Sequence, residues 1–192
     1  MLDLVFESAT VIDGTGNAPR TADVGVQDGI IREVGRVDGA AHRRIDASGA
    51  WLTPGFIDLH THYDGQASWD ETFSPSVQHG VTTLLFGNCG VGFAPLAPGD
   101  RNRAIEGLIS LMEGVEDIPG AALVEGVRFD WQSFPEYLDA LERIPHTLDF
   151  LAQVPHDPLR MAVMGDRAQA QEAATAADIA AMQQLLREAL AA

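Results

Sequence analysis

The sequence has 192 residues, of which 12 are basic and 28 are acidic, giving a formal net charge of −16 at pH 7. This charge argues against nucleic acid or an anionic membrane surface as a partner, because both bind positively charged protein surfaces. The chain has a single cysteine, no pattern typical of a secretory signal and no run of about 18 apolar residues. We therefore expect a cytoplasmic protein with no membrane partner and no intramolecular disulfide.

Residues 1–54 consist of short apolar runs separated by turn signals. The pair Asp28-Gly29 lies between the β-type runs 24–26 and 30–34, which predicts a hairpin. Turns at this density are typical of a small sandwich or meander of β-sheet. We find no pattern of chemically active residues in this segment.

After Pro54-Gly55 the pattern changes to alternating strands and helices. Strands are predicted at 56–62, 81–86 and 148–154. Helices are predicted at 75–78, 101–112, 133–143 and from Thr175 to the end. Ser74, Ser133 and Thr175 are the expected helix caps, and Glu136 completes a capping box with Ser133. Residues 113–130 are predicted to be irregular.

This order predicts an α/β protein in which a β-sandwich segment, residues 1–54, precedes the first β/α units of a (β/α)8 barrel, residues 55–192. A complete barrel of this type needs about 250 residues. We therefore expect the chain to be the N-terminal part of a larger enzyme.

Two of the predicted strands carry metal-binding side chains at or just past their ends. Residues of a strand alternate between its faces, so Asp58, His60 and His62 are predicted to share one side, while Ile57, Leu59 and Thr61 pack on the other. Cys89 comes just after strand 81–86. Two imidazoles and a thiolate brought together by neighbouring strands are a plausible ligand set for zinc.

Several motifs carry a resemblance to a known family. The segment 54–62, Pro-Gly-Phe-Ile-Asp-Leu-His-Thr-His, resembles the signature of the metal-dependent amidohydrolase superfamily. The segments 62–64, 79–83 and 87–95, the last reading Gly-Asn-Cys-Gly-Val-Gly-Phe-Ala-Pro, more narrowly resemble the N-acyl-D-amino-acid deacylases, or D-aminoacylases. Segments 112–120, 134–138 and 154–156 resemble the same family.

The resemblance implies a zinc hydrolase, with one or two metal ions, that cleaves the amide bond of small-molecule N-acyl-D-amino acids. It places His60 and His62 at the more exposed metal position and Cys89 at the tighter one. The sequence contains no lysine, so the carboxylated lysine of many superfamily members could come only from sequence outside these residues. The general-base aspartate and two further histidines of the family are expected beyond residue 192.

Five further residues are candidates for orienting a ligand or contacting substrate. Asp58 shares the predicted face of the two histidines and is a candidate for orienting an imidazole. Tyr63 and Asp64 lie next to them in sequence, and His156 and Arg160 follow the third strand. A cation at that position suits a substrate carboxylate.

Two alternatives remain open at this level. One is an amidohydrolase acting on cyclic amides, as hydantoinases or dihydropyrimidinases do, although Cys89 and the absence of lysine count against it. The other is a non-catalytic piece, because three parallel strands leave an open sheet edge and exposed apolar faces. The oligomeric state is not predicted.

Overall fold

The computed structural model describes residues 1–116 and 118–192, which form two compact units, Met1–Gly55 and Phe56–Ala192. Asp117, part of the 112–120 motif and of the segment predicted to be irregular, lies outside the described residues. None of the described helices combines the length and the apolar content that crossing a membrane requires.

The first unit contains one five-stranded sheet. Its strands are β1 (Leu2–Val11), β2 (Arg20–Gln27), β3 (Ile30–Gly35), β4 (Ala41–Asp46) and β5 (Trp51–Leu52). The order is β3-β2-β1-β4, and β5 also pairs with β1. The β1–β2 and β2–β3 pairs are antiparallel, whereas β4 and β5 run parallel to β1.

Local sequence accounts for the hairpin in this unit. Asp28 and Gly29 have φ angles of 53° and 72°, and a two-residue turn with two positive φ angles matches the twist of its flanking strands. The hairpin predicted from Asp28-Gly29 is therefore confirmed. The strand β1 supplies buried side chains to this sheet at Val5, Ala9 and Val11.

The second unit is built on three parallel strands in the order β6-β7-β8. These strands are β6 (Phe56–Thr61), β7 (Val81–Phe86) and β8 (Asp149–Ala152). Its helices are α1 (Arg101–Glu116), α2 (Gly120–Gly126), α3 (Phe134–Glu142), α4 (His156–Met164), α5 (Asp166–Gln169) and α6 (Ala176–Leu190). Because the strands are parallel, their carboxyl ends meet at one edge of the sheet.

Two of the helices begin as the sequence predicts. The Ser133 hydroxyl accepts a hydrogen bond from the backbone amide of Glu136, and the Glu136 carboxylate accepts one from the amide of Ser133. Thr175 and Asp178 form the same reciprocal pair at the start of α6. Each pair satisfies amides that the helix leaves without a partner.

One face of the parallel sheet packs against the core of this unit. Leu84 and Phe86 on β7 are fully buried, together with Phe73, Met112 and Leu141. The opposite face is exposed: the exposed fractions of Ile57, Leu59 and Leu151 are 63%, 62% and 59%. The core of the second unit therefore lies on one side of its sheet.

Other local predictions need correction. The segment predicted to be irregular contains the end of α1 and the whole of α2, and Leu123 of α2 is buried in the core. The short helix predicted at 75–78 with Ser74 as its cap is a 3₁₀ turn, Ser76–His79, whose N-cap residue is Pro75. The Ser74 hydroxyl accepts a hydrogen bond from the Gln78 side-chain amide and does not cap the turn.

The helices α4 and α5 were not predicted. The proline of α4, Pro158, sits in the first turn of that helix, where its missing N–H costs nothing.

Candidate metal centre

The side chains of His60, His62 and Cys89 come together at the carboxyl edge of the parallel sheet. His60 lies near the end of β6, His62 just past it, and Cys89 in the loop after β7. One ligand atom of each residue lies within 4.8 Å of the corresponding atoms of the other two. Within the described part of the chain, this is the one group of at least three His, Cys, Asp or Glu residues placed to hold a metal ion.

The strand that carries the histidines does not alternate as predicted. On β6, Asp58 pairs with Leu84 and Thr61 pairs with Phe86, so three steps on β6 match two steps on β7. This extra residue is a bulge, which changes the faces that the following side chains take. Thr61 is consequently buried, and its hydroxyl donates to the Leu85 carbonyl at 2.9 Å. The prediction that Ile57, Leu59 and Thr61 pack on one face is wrong: Thr61 is buried, whereas Ile57 and Leu59 are exposed.

The loop that carries Cys89 is held on both sides. Gly87 has a φ of +81°, and a Cβ there would lie 2.4 Å from the Gln153 carbonyl oxygen, so only glycine fits. The Asn88 side-chain amide donates to the Leu59 carbonyl at 3.1 Å. The Gly90 carbonyl accepts a hydrogen bond from the Asp157 amide at 2.8 Å.

The protonation state of His62 suits a metal ligand. Burial, and secondarily the nearby His60, lowers the pKa of His62, which favours the neutral imidazole that metals bind. Its Nδ1 atom is buried and has no hydrogen-bond partner. Zinc bonds of about 2.0–2.3 Å place tetrahedral donor atoms about 3.5 Å apart, a spacing compatible with three donor atoms that lie within 4.8 Å of one another.

Asp58 and Tyr63 have structural contacts that the sequence did not reveal. The Asp58 carboxylate accepts a hydrogen bond from the backbone amide of His60 at 3.2 Å, so it supports the main chain of this strand; the expected bond to an imidazole is not observed. Tyr63 is 8% exposed, and its hydroxyl donates to Ser76 Oγ at 2.8 Å. Its ring therefore belongs to the core beside the site.

Asp64 is buried more deeply than its position beside two histidines suggests. Its exposed fraction is 3%. Burial raises the pKa of Asp64 to about 7, against hydrogen bonds from the backbone amides of Asp64 and Gly87, which lower it.

His156 and Arg160 lie on α4 but face different surroundings. His156 is exposed in the first turn, and a Cβ placed on Gly90 would lie 3.7 Å from its Cβ, so it is adjacent to the Cys89 loop. The Arg160 guanidinium, one turn further along, donates to the Glu172 carbonyl. It also lines a pocket with Asp157 and Gln171, and none of the three ligand candidates lines that pocket.

A separate pocket adjoins the candidate metal ligands. It has a volume of about 370 Å³ and is lined by His62, Tyr63, Gln66, Val115 and Ile118. A pocket with aliphatic walls beside a metal-binding histidine is suited to an apolar part of a small molecule.

The residues that the sequence analysis missed are those that position Cys89. Asn88, Gly87 and Gly90 were seen only as neighbours in a glycine-rich motif. The two glycines flanking an Asn-Cys pair were the available signal, because a loop with positive φ angles requires glycine.

The comparisons with known proteins agree on the family. The model of the Amidohydrolase family matches residues 43–192. The D-aminoacylase of Alcaligenes xylosoxydans xylosoxydans is 38% identical over 190 residues, which are 98% of this chain and 36% of that protein.

Solved structures give the same result. A D-aminoacylase structure, determined in a study of its binuclear metal centre, matches with a TM-score of 0.79 and 38% identity over 100% of this chain and 37% of that one. The N-acyl-D-glutamate deacylase of Bordetella bronchiseptica, in complex with zinc and a phosphonate inhibitor, matches with a TM-score of 0.72 and 34% identity over 100% of this chain and 36% of that one.

The chain thus spans just over a third of the length of these relatives. The match to the family model covers most of the sequence, and the fold is that of the N-terminal region of D-aminoacylase. The predicted α/β class is confirmed. The chain is a member of the amidohydrolase family.

Proposed function

We propose that this chain provides the zinc-binding, N-terminal part of a hydrolase that cleaves the amide bond of N-acyl-D-amino acids. The observation that carries the proposal is the meeting of His60, His62 and Cys89 within 4.8 Å at the carboxyl edge of the sheet. The relatives named D-aminoacylase and N-acyl-D-glutamate deacylase support the reaction, and the second of these supports zinc as the metal.

The ligand set accounts for the choice of metal. One thiolate with two imidazoles favours a borderline-soft ion such as zinc over magnesium or calcium, which prefer oxygen ligands. When bound, zinc polarises the amide carbonyl and lowers the pKa of a coordinated water.

Residues of this chain would hold the ion and keep its ligands in place. His62 enters the site as a neutral imidazole because burial lowers its pKa, and Asp58 fixes the main chain at His60. The pocket beside His62, with Val115 and Ile118 in its walls, is our candidate position for an apolar substituent of the substrate. The general base is not assigned to any described residue.

The cyclic-amide alternative has less support from the residues. Many members of the superfamily hold two metals with a carboxylated lysine; residues 1–192 contain no lysine, so such a ligand would have to lie outside them. Cys89 instead takes a place among the candidate ligands.

Zinc content tests the metal assignment. We expect about one zinc per chain in purified wild-type protein and much less in Cys89→Ala and His60→Ala, because each loses a ligand. His42→Ala is the matched control, since His42 is an exposed histidine in the first unit. Equal zinc in wild type and Cys89→Ala would refute the assignment.

A chimera tests the reaction. Residues 1–192 replace the aligned region of the Alcaligenes D-aminoacylase, and hydrolysis of N-acetyl-D-methionine is compared with that of its L enantiomer. We expect hydrolysis of the D enantiomer that His60→Ala abolishes and His42→Ala leaves unchanged. A folded chimera that binds zinc but hydrolyses neither enantiomer would contradict the proposed reaction.

A further inference from the structure

Asp64 is a buried carboxyl group to which the proposed reaction gives no role. It lies two residues after His62, yet it is 3% exposed, and its Oδ2 atom is buried without a hydrogen-bond partner. A carboxyl group is rarely buried to this extent unless it makes a specific contact that offsets the cost of removing it from water. The surroundings of Asp64 show what that contact is.

The carboxyl group packs against the loop that carries Cys89. A Cβ placed on Gly92 would lie 2.9 Å from Asp64 Oδ1 and 2.9 Å from Pro155 Cγ. The main chain at Gly92 therefore approaches the carboxyl so closely that no side chain fits between them. The backbone amide of Gly87 lies close enough to lower the pKa of the same carboxyl group, so Asp64 is adjacent to this loop on both sides of Cys89.

The segments around Asp64 and around Gly92 are both anchored to the pair Trp131 and Tyr137. The Tyr137 hydroxyl on α3 donates to the Asp64 carbonyl at 2.7 Å. The Trp131 indole, which packs against Tyr137, donates to the Phe93 carbonyl at 2.8 Å. Because Tyr137 and Trp131 pack together, the backbone at Asp64 and the end of the Cys89 loop are fixed relative to one another.

We propose that Asp64 is a positioning residue for the metal centre, whose carboxyl group holds the 87–92 loop so that Cys89 meets His60 and His62. The inference rests on the proposed zinc site and adds a residue to it. A carboxyl group that holds the backbone next to a metal-binding residue positions that residue without contacting the metal itself.

The test uses cobalt(II), whose charge-transfer band with thiolate reports directly on Cys89. We expect Asp64→Ala to weaken cobalt binding by about 10- to 100-fold and to shift or weaken this band. Asp64→Asn keeps an acceptor oxygen and the side-chain volume, so we expect it to restore most of the affinity. Gly92→Ala disturbs the same contact from the loop side and should reproduce the loss.

Asp178→Ala is the matched control for a structural effect alone. Asp178 is a buried carboxylate of the same unit, bonded to Arg167 and Thr175, and its loss should lower the melting temperature without changing the cobalt band. Circular dichroism checks that each variant is folded. If Asp64→Ala does not fold, Gly92→Ala decides the question: a weaker cobalt band supports the role of Asp64, and an unchanged band and affinity overturn it.

The outcomes separate this inference from the proposed function. A wild-type protein without a thiolate-to-cobalt band would refute the metal centre, and the role of Asp64 with it. A wild-type band that Cys89→Ala removes, but that folded Asp64→Ala and Gly92→Ala retain with unchanged affinity, would overturn the role of Asp64 alone.

Discussion

The Asn88 side-chain amide donates a hydrogen bond to the Leu59 carbonyl at 3.1 Å, joining the loop after β7 to the strand that carries His60. Each residue is the immediate neighbour of a candidate metal ligand, Cys89 or His60. The relative position of thiol and imidazole therefore depends on this bond between two neighbouring strands.

Removing that bond should weaken metal binding. We expect Asn88→Ala to cost about 1 kcal/mol, which is a several-fold loss of zinc affinity in a competition titration with a chromophoric chelator. Asn17→Ala is the control, because Asn17 makes a comparable side-chain bond to Thr15 in the first unit. An equal zinc affinity for the two variants would count against a role for Asn88.

Glycine at position 87 should be indispensable for the fold of this edge. Gly87→Ala combines a positive φ with a Cβ 2.4 Å from the Gln153 carbonyl oxygen, and we expect a loss of about 3 kcal/mol or more in the free energy of unfolding. Gly99→Ala is the matched control, since Gly99 also has a positive φ, +99°, but no atom within 4 Å of its Cβ position. Urea denaturation of both variants separates the steric clash with Gln153 from the strain of a positive φ angle. Equal losses in the free energy of unfolding would show that the contact with Gln153 is unimportant.

The exposed face of the parallel sheet should tolerate polar substitution. We expect Leu59→Ser to change the free energy of unfolding by less than about 0.5 kcal/mol and to reduce self-association seen by light scattering, because it removes exposed apolar area. Leu84→Ala, on the buried face of the same sheet, should cost about 2–5 kcal/mol. A large loss for Leu59→Ser would mean that this face is covered in solution.

The ion pair at the start of α6 should make stability depend on acid pH. The hydrogen bond from Arg167, with those from Thr175, holds the pKa of Asp178 well below its ordinary value. Its contribution is therefore complete above the unfolded-state pKa of about 3.9 and is lost as the pH falls from there towards the folded-state value. We expect Asp178→Asn to lower the melting temperature at pH 7, and the difference from wild type to shrink below about pH 4.

Asp38→Asn is the control for this pH series. Asp38 pairs with Arg36, but both side chains are mostly exposed, 74% and 85%, so its loss should have little effect on the melting temperature. A difference between wild type and Asp178→Asn that is the same at pH 3 and pH 7 would contradict the assigned role of the carboxylate.

Local interactions explain what could be predicted from the sequence. Asp28-Gly29 specifies a turn through its own φ angles, and Ser133 with Glu136 starts α3 through bonds that span three residues. The positions of His60 and His62 at the end of one predicted strand, and of Cys89 just past the next, were also enough to place them at one sheet edge. Each of these inferences depends on residue type and on contacts within a few positions.

Packing between distant segments decided the rest. The bulge between Asp58 and Thr61 depends on pairing with β7, and it overturned the simple alternation of faces. The burial of Tyr63 and Asp64 depends on Ser76, Gly92 and Tyr137, which lie 13, 28 and 73 positions further along the chain.

The sequence by itself determined which residue types could bind the metal and which strands would deliver them, because strand periodicity and ligand chemistry are local properties. The tertiary structure alone decided that Leu59, Gln153 and Asp64 pack against the Cys89 loop. The physical reason is that burial and hydrogen bonding across strands arise only when distant segments pack together.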